Sequence, residues 1–491
     1  MSRVDVVVVG GGNAGFCAAH AAAEQGARVV LLEKTSPEEA GGNSYYTAGA
    51  FRIAFNELAE LGDLFNDTTT AERLARSVVP GYPAARFRAD LDRVTQGRND
   101  PVLTEVLISR SQDVLRWLAG KGMRWRLMYE RQSYRSQDEW VFWGGLYVGT
   151  VDGGRGMVRQ HRDAAQAAGV EVRYHAEVTR LDPVARTVGY RTGSGEQHLH
   201  ADAIVLAAGG FEADPERRAH HMGEQWRHAF LRGSPANTGD VLDLALAAGA
   251  AAHGDWASCH STAWDAGADP AGGERRLTNQ LTRQSYPLGI VVNRDGRRFV
   301  DEGADFRNYT YAKYGREILD QPGFAAVQIF DAKTRPLLRA EEYDSEPITM
   351  ARADSLADLA RQLRVDPAGL VRTVEEFNAG VVDRPFDPAV KDGRRSDVEP
   401  PKSNWALQID TRPYYGYPVV CGITFTFGGV HVDQRAAVLD ASGTAIPGLY
   451  AAGELVGGLF SGNYPGGSGL TAGAVFGRLA GTHAAGGTLD P

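Results

Sequence analysis

Cysteine is scarce in this 491-residue chain: Cys17, Cys259 and Cys421 are far apart and odd in number. No Cys-x2-Cys or Cys-x4-Cys occurs, which excludes a disulfide scaffold and a redox-active disulfide; no metal-binding spacing is present, and no metal is expected. Scattered free thiols suit a reducing cytoplasm, the expected location. A basic excess is also missing: 52 Lys and Arg against 61 Asp and Glu give a net charge of −9, so nucleic acid is not an expected partner. No apolar run reaches the ~18 residues that span a bilayer, so the chain is not expected to cross a membrane. The first strand-like run starts at about residue 4, which leaves no room for a signal peptide. No internal repeat is visible, and 389 to 404 is the one low-order candidate loop. The apolar content of 43% is ordinary for a globular protein, and the length predicts two or three domains.

Glycine is abundant, and its placement is informative. The apolar run Val6 to Val9 breaks directly into G-x-G-x-x-G at Gly10, Gly12 and Gly15, around Asn13 and Ala14. An alanine-rich helical stretch, 16 to 25, stops at Gly26, and a second apolar run ends on Glu33, 18 residues after Gly15. This strand–turn–helix–strand setting is what a dinucleotide fingerprint requires. Gly10 permits the tight turn, Gly12 lets the backbone approach a pyrophosphate, and Gly15 lets helix pack on strand. The helix N-terminus offers N–H groups and a partial positive charge to the pyrophosphate. Glu33 can accept both ribose hydroxyls, which argues against a 2′-phosphate.

Further along, helical spacing marks 100 to 122 and 157 to 168, and a strand is predicted from Val170 to His175, ending near Glu177 and Val178. Residues 187 to 191 and 197 to 205 read as a hairpin around Gly193 to Gly195. The second arm continues into the buried strand Ile204 to Ala208, which meets Gly209 and Gly210. From about 255 to 424 the chain carries more charge, Pro and Tyr, with helix expected over 354 to 378. At the C-terminus, Leu449 to Ala452 form a strand feeding Gly453-Glu454, and a small-residue helix covers 470 to 480. The expected architecture is α/β: a Rossmann-like FAD-binding domain, a parallel sheet with helices and a β-hairpin insert, interrupted by an α+β capping domain. The boundaries are 1–254 and 425–491 for the first, 255–424 for the second.

Two glycine-ended strands from opposite ends of the chain, at Gly209 and Gly453, point to FAD rather than NAD, since a flavin needs a long groove lined by sequence-distant loops. The chain resembles the flavoprotein family of fumarate reductase and succinate dehydrogenase over essentially its full length. The matching pieces are the fingerprint with Glu33, Gly41-Gly42-Asn43-Ser44, Ala208-Gly209-Gly210-Phe211, Thr238-Gly239-Asp240, Asn293 to Phe299 with Asp301-Glu302, Ala452-Gly453-Glu454 and Phe476-Gly477-Arg478. Gly462 to Gly469 and Thr47 to Arg52 look most like the tricarballylate dehydrogenase branch, which is similar in part to ketosteroid dehydrogenases. The resemblance implies cofactor contacts from Gly10, Gly12, Asn13, Ala14, Gly15, Glu33 and Lys34, then from Gly42, Asn43, Ser44, Gly49 and Val178. Ala208, Gly209, Asp240, Gly453, Glu454, Ser468, Gly469 and Leu470 complete the set. The loop 43 to 51 contains Tyr45 and Tyr46 but no histidine, so the FAD is expected to be non-covalent.

The same resemblance implies hydride transfer to flavin N5 from one carbon of a C–C bond, while a side chain takes the proton from its neighbour. Arg307 stands near the family's proton-shuttling arginine, one residue out of register. It can bind a carboxylate bidentately, and Arg297, Arg298, Asp301, Glu302 and Asp305 are near it in sequence. Tyr309 and Tyr311 are alternative phenolic bases. His260 matches the histidine at the entrance to the capping domain, where it would donate to a substrate carbonyl or carboxylate. Two departures matter: the family's second histidine is Phe425 here, and its C-terminal substrate arginine is Tyr464. Arg52, Arg283 and Arg298 are candidates to restore positive charge.

The reading is an FAD-dependent α,β-desaturase of a small carboxylate or oxo-acid, tricarballylate dehydrogenase-like, with a protein or quinone as electron acceptor. Alternatives are a desaturase of a cyclic ketone or oxo-acid, a soluble enoate reductase, and a non-enzymatic flavin-binding electron carrier.

Overall fold

A computed structural model of the protein describes residues 2–65 and 68–489. β1 (Ser2–Val9) lies inside an eight-stranded sheet. Val6 to Val9 are buried whichever face they point to, as expected for a parallel strand covered on both sides. β1 pairs in parallel with β2 (Val29–Leu32) on one edge and with Gly195–Leu206 on the other. β2 pairs in parallel with Glu171–Arg173, and Leu206 lies opposite Ala451 in a parallel pairing with Ala445–Ala451. The two glycine-ended strands are therefore neighbours, although some 240 residues separate them.

The 12-residue strand Gly195–Leu206 has two partners on its edge away from β1. Its first half forms the expected hairpin with Thr187–Thr192, and its second half joins Ala445–Ala451. The strand predicted to run on towards Glu177 instead stops at Arg173. His175 turns the chain with a φ of 52°, and a separate strand, Glu177–Asp182, pairs with Thr187–Thr192.

α1 (Asn13–Glu24) packs against the C-terminal helix Ser468–Ala484, and glycine lets the two approach. A Cβ on Gly481 would lie 2.0 Å from the carbonyl oxygen of Ala18, and one on Gly477 would lie 2.5 Å from that of Ala14.

A six-stranded sheet forms the second unit. Its spine is the 17-residue strand Tyr414–Val430, antiparallel to Ala252–Asp265, Ala325–Phe330 and Ala351–Ala353. Ile290, Ile329, Leu359, Leu370, Val374 and Phe377 form its separate core. The helical stretch at 354 to 378 is two helices, Leu356–Leu363 and Pro367–Ala379. Arg364 leaves the first in the left-handed region (φ 57°), and the Asp366 side chain caps the second by accepting from the Gly369 N–H. The stretch 389 to 404 has no helix or strand but is tied down. Buried Lys402 donates to the Gly289 carbonyl at 2.5 Å, and Ser396 donates to that of Phe377 at 2.8 Å.

Ala252–Asp265 and Tyr414–Val430 make one continuous ribbon through positions 254/255 and 424/425. Its inner end reaches the first unit, where Val430 bridges to Val456. The ribbon thus places the middle of both strands against the ends of the parallel strands. No helix among the described residues is long and apolar enough to cross a membrane.

Candidate functional site

A cleft lies at the carboxyl ends of the parallel strands, lined there by Val9, Leu32, Ala207, Ala208 and Gly453. Ligands of open α/β sheets bind at such a place. The three fingerprint glycines differ in what surrounds them. A Cβ on Gly10, whose φ is 105°, would lie 2.4 Å from the Ala207 carbonyl oxygen. One on Gly15 would lie 1.9 Å from the Gly10 carbonyl oxygen, so Gly15 belongs to the helix–strand contact and does not line the cleft. One on Gly12 would meet nothing closer than the Ser44 hydroxyl at 3.5 Å. Gly12 therefore leaves open space at the N-terminus of α1, where an anion is favoured.

Glu33 lies buried at the end of β2. One carboxylate oxygen accepts from the Gly11 N–H (2.9 Å), and the other accepts from the N–H and hydroxyl of Thr35 (2.9 and 2.7 Å). It thereby fixes the glycine loop and still borders the cleft. Lys34 joins it, donating to Thr238 (2.9 Å) and Asp240 (3.2 Å), and Val178 lines the same region. Asn13 is locked from both sides: its N–H donates to the Ser44 hydroxyl (3.0 Å) and its amide to the Leu470 carbonyl (2.9 Å). Its Oδ1 lies 3.0 Å from His161 Nε2, and His161 Nδ1 lies 3.2 Å from His20 Nε2. Burial holds both imidazoles down, His20 to about 4, so this buried chain is neutral at pH 7.

Further along, the Asn43 amide donates to Glu212 and to the Thr424 carbonyl, both at 2.6 Å, while Asn237 donates to Glu212 at 2.7 Å. Glu212 and Glu454 are buried together. Desolvation and mutual repulsion push Glu454 well above the usual carboxylate range, so the pair holds a proton. Gly42, Gly209, Gly469 and Leu470 also line the cleft. Gly49 and Ser468 do not: the Gly49 backbone packs against Thr150 and Gly153, and the buried Ser468 hydroxyl lies under the helix start. Tyr45 and Tyr46 face Arg275, whose guanidinium lies 3.4 Å from the Tyr45 ring centre.

At the other end the ribbon delivers His260 and Phe425, directly opposite each other across the strands with rings stacked at 5.4 Å. The pairing slips on both sides of His260, between Asp255 and Cys259 and again before Ser261; such bulges re-aim side chains. Tyr464 and Tyr311 stand edge-on to His260 at 5.1 and 5.0 Å. Their hydroxyls are 2.5 Å apart. Burial raises both phenols. Proximity to Tyr311 raises Tyr464 further, whereas the Arg232, Arg52 and Arg131 cations lower Tyr311. Tyr311 is thus the member of the pair closer to ionisation. Burial, reinforced by the Arg232 cation, holds His260 well below its ordinary value, so it is neutral, and its Nδ1 has no hydrogen-bond partner. Phe427 and Phe460 extend the aromatic wall.

Arg307 lines the cleft and donates to Gln284 (3.2 Å) and to the Arg131 carbonyl, with its guanidinium 5.1 Å from the Trp143 ring centre. The charges near it in sequence face elsewhere. Arg298 pairs with Glu302, Asp301 with Ser403, and Asp305 with Arg93. The charges near it in space come from Arg131, Arg339 and Glu342, linked through Gln284. Tyr309 does not reach the cleft: its hydroxyl donates to Asp90 (2.7 Å) or Gly144 and receives from Arg52. Arg52 and Arg283 are likewise spent, Arg52 on the Gly466 and Gly144 carbonyls and Arg283 on Asp265. The positive charge comes instead from Arg131, Arg232 and Arg307, with Asn279, Gln284 and Thr424 beside them. Sequence reasoning missed Arg131 and Arg232, which lie in unremarkable segments without motif spacing. Away from the cleft, Asp100, His253 and His431 bring possible ligand atoms within 4.8 Å of one another, but Asp100 already caps the helix Pro101–Gly120.

The donor set fits FAD: an acid at the end of β2, an open glycine turn at a helix N-terminus, and a lining that continues to an aromatic pocket. The sequence profile of the family described as "FAD binding domain" matches residues 5–470. The fumarate reductase (cytochrome) of Shewanella frigidimarina is 31% identical, covering 98% of this chain and 77% of that protein. The 4-oxocyclohexanecarboxylate 2-dehydrogenase of Sinomonas cyclohexanicum is 28% identical, covering 99% and 93%. The solved 3-ketosteroid Δ1-dehydrogenase of Sterolibacterium denitrificans shares the fold, with a TM-score of 0.73 at 21% identity, covering 99% of this chain and all of that one.

Proposed function

The chain belongs to the FAD binding domain family and is an FAD-dependent oxidoreductase acting on carbon–carbon single or double bonds, and we propose that it desaturates a small cyclic oxo-acid next to its ketone. The observation that carries this reading is the Tyr311–Tyr464 hydroxyl pair, 2.5 Å apart beside a neutral His260 and facing Phe425. A ketone acidifies its α C–H. Tyr311, once ionised to its phenolate with its own proton released to solvent and its oxygen then hydrogen-bonded by the Tyr464 hydroxyl, takes that proton. The neutral His260 ring lines the cleft beside this pair and supports the oxygen on which enolate charge grows. FAD, held at the Gly12 turn and Glu33, would supply the acceptor for the hydride lost from the β carbon as the C=C bond forms between the two carbons. Phe425, Phe427 and Phe460 give ring carbons an apolar wall and exclude water.

The departures favour this reading over a linear polyacid. Phe425 and Tyr464 stand where the fumarate reductases keep a histidine and an arginine. A tricarballylate-type substrate brings three carboxylates, whereas Arg232 and Arg307 are the cleft arginines with no acid partner among the described residues. The cofactor contacts expected from the sequence, Glu33 and Gly12 foremost, hold the dinucleotide in this proposal. The oxidant that would regenerate the cofactor is a protein or quinone, and a cytoplasmic setting is supported by three free, buried cysteines.

A second reading, enoate reduction with Arg307 as proton donor, is favoured by the place of Arg307 in the cleft without a carboxylate partner. The two separate in one experiment. Anaerobic holoenzyme is assayed with 4-oxocyclohexanecarboxylate and a dye acceptor, and with fumarate and a reduced dye. The proposal expects enone formation, weak fumarate reduction, and a loss of at least ~10²-fold in enone formation in Tyr311→Phe. Strong fumarate reduction that Arg307→Ala abolishes and Tyr311→Phe leaves intact would replace the first reading with the second.

A further inference from the structure

Arg232 is 7% exposed and follows the short strand Phe230–Leu231, its N–H bonded to the Ile423 carbonyl at 2.8 Å. Its guanidinium donates to the Thr424 hydroxyl and to the Asn279 side-chain oxygen, both neutral. Its Nε is buried without a partner, and no carboxylate pairs with it among the described residues. Other buried arginines nearby contrast with it: Arg283 has Asp265, Arg298 has Glu302, and Arg131 and Arg339 share Glu342, while Arg307, which also lacks an acid, gives its donors to Gln284 and the Arg131 carbonyl. A buried cation left uncompensated is costly, and two neutral acceptors orient it without cancelling its charge. Arg232 borders the cleft with Tyr311, Tyr464 and His260, and its field reaches all three.

We propose that Arg232, held by Thr424 and Asn279, is the anchor for the carboxylate of the substrate. The inference rests on the oxo-acid reading and deepens it. The ketone lies at the Tyr311–Tyr464 pair and the acid group is the missing counter-ion of Arg232. A planar guanidinium suits this because it grips a carboxylate with two parallel N–H donors. The Thr424 carbonyl also receives the Asn43 amide, so the anchor is built on the same rigid strand that borders the cofactor loop.

The test uses a dead-end pair with no ketone to desaturate, cyclohexanecarboxylate and the neutral cyclohexanecarboxamide, so that it does not depend on turnover. Binding to oxidised holoenzyme is read from the perturbed flavin spectrum and from the thermal midpoint. The acid is expected to bind more tightly than the amide by roughly 10- to 100-fold, the range for a charge-assisted pair. Arg232→Met should erase that preference while leaving amide binding within about threefold; Arg232→Lys should keep part of it. Asn279→Asp keeps the arginine and supplies the missing carboxylate, so it should also erase the preference, and it covers the case in which Arg232→Met fails to fold. No acid preference in the wild type, or one that survives both Arg232→Met and Asn279→Asp, overturns the inference. Failure of the oxo-acid reading shows separately, as absence of enone formation by a protein that still prefers the acid.

Discussion

At the dinucleotide end of the cleft, the groups that meet the ligand space are mostly backbone, set by glycines within single turns of chain, with Glu33 and Asn13 bracing them. At the substrate end they are side chains gathered from 131, 232, 260, 307, 311, 425 and 464, and their properties come from one another. His260 is neutral because it is buried beside Arg232, and the Tyr311 phenol, raised by burial, is drawn back down by the Arg232, Arg52 and Arg131 cations. The first end is specified by sterics over short sequence distances. The second is specified by electrostatics over long ones. Damage at the first should therefore release the cofactor or the fold, and damage at the second should spare both and stop the chemistry.

The largest expected effect is at Gly15. Gly15→Ala places a methyl 1.9 Å from a carbonyl oxygen in rigid backbone, so the protein should fail to fold or emerge without flavin. Yellow protein of normal thermal stability would show that the helix yields and would blunt the comparison. Glu33→Ala should follow, with apoprotein that is folded but binds FAD more weakly by roughly 1.5–3 kcal/mol per charged hydrogen bond lost, read by flavin titration. Unchanged affinity would reduce Glu33 to a brace for Gly11 and Thr35. Smallest is the pH response of the His20–His161 chain behind Asn13. His20 titrates at about 4 when folded and near 6.5 when unfolded, so the folded state binds fewer protons between those values. The stability involved is whole above about pH 6.5 and is lost as the pH falls towards 4, by about 1.4 kcal/mol for His20 at about pH 5.5. Thermal midpoints across that range should fall less steeply for His20→Gln than for the wild type. Parallel slopes would place the acid sensitivity elsewhere.

Much of the first end was legible in the sequence, because a strand, a glycine turn, a helix and an acid occupy consecutive residues and their spacing reports their geometry. That the strands ending at Gly209 and Gly453 both border the groove was legible for a related reason, since each is a buried run broken by glycine, whereas their direct pairing was not. The second end was legible only in part. His260, Tyr311, Arg307, Phe425 and Tyr464 stand out by resemblance, but whether a neighbouring side chain reaches the cleft depends on packing that sequence spacing does not encode. Tyr309 and Tyr311 are two residues apart, yet one is bound to Asp90 and Arg52 and the other to Tyr464. Arg52, Arg283 and Arg298 were plausible sources of charge until their partners were visible. Arg232 carries no motif, and only the structure shows that it is buried against two neutral partners without an acid.

The division between the two ends is tested most directly by Tyr311→Phe, which removes one hydroxyl from the substrate end and nothing from the dinucleotide end. Wild type and variant, matched for FAD content, are mixed anaerobically with 4-oxocyclohexanecarboxylate while the oxidised flavin band is followed. The account predicts that FAD affinity is unchanged, that the wild-type band bleaches, and that the variant bleaches at least ~10²-fold more slowly. Equal bleaching rates, or a variant that loses its flavin, would contradict it.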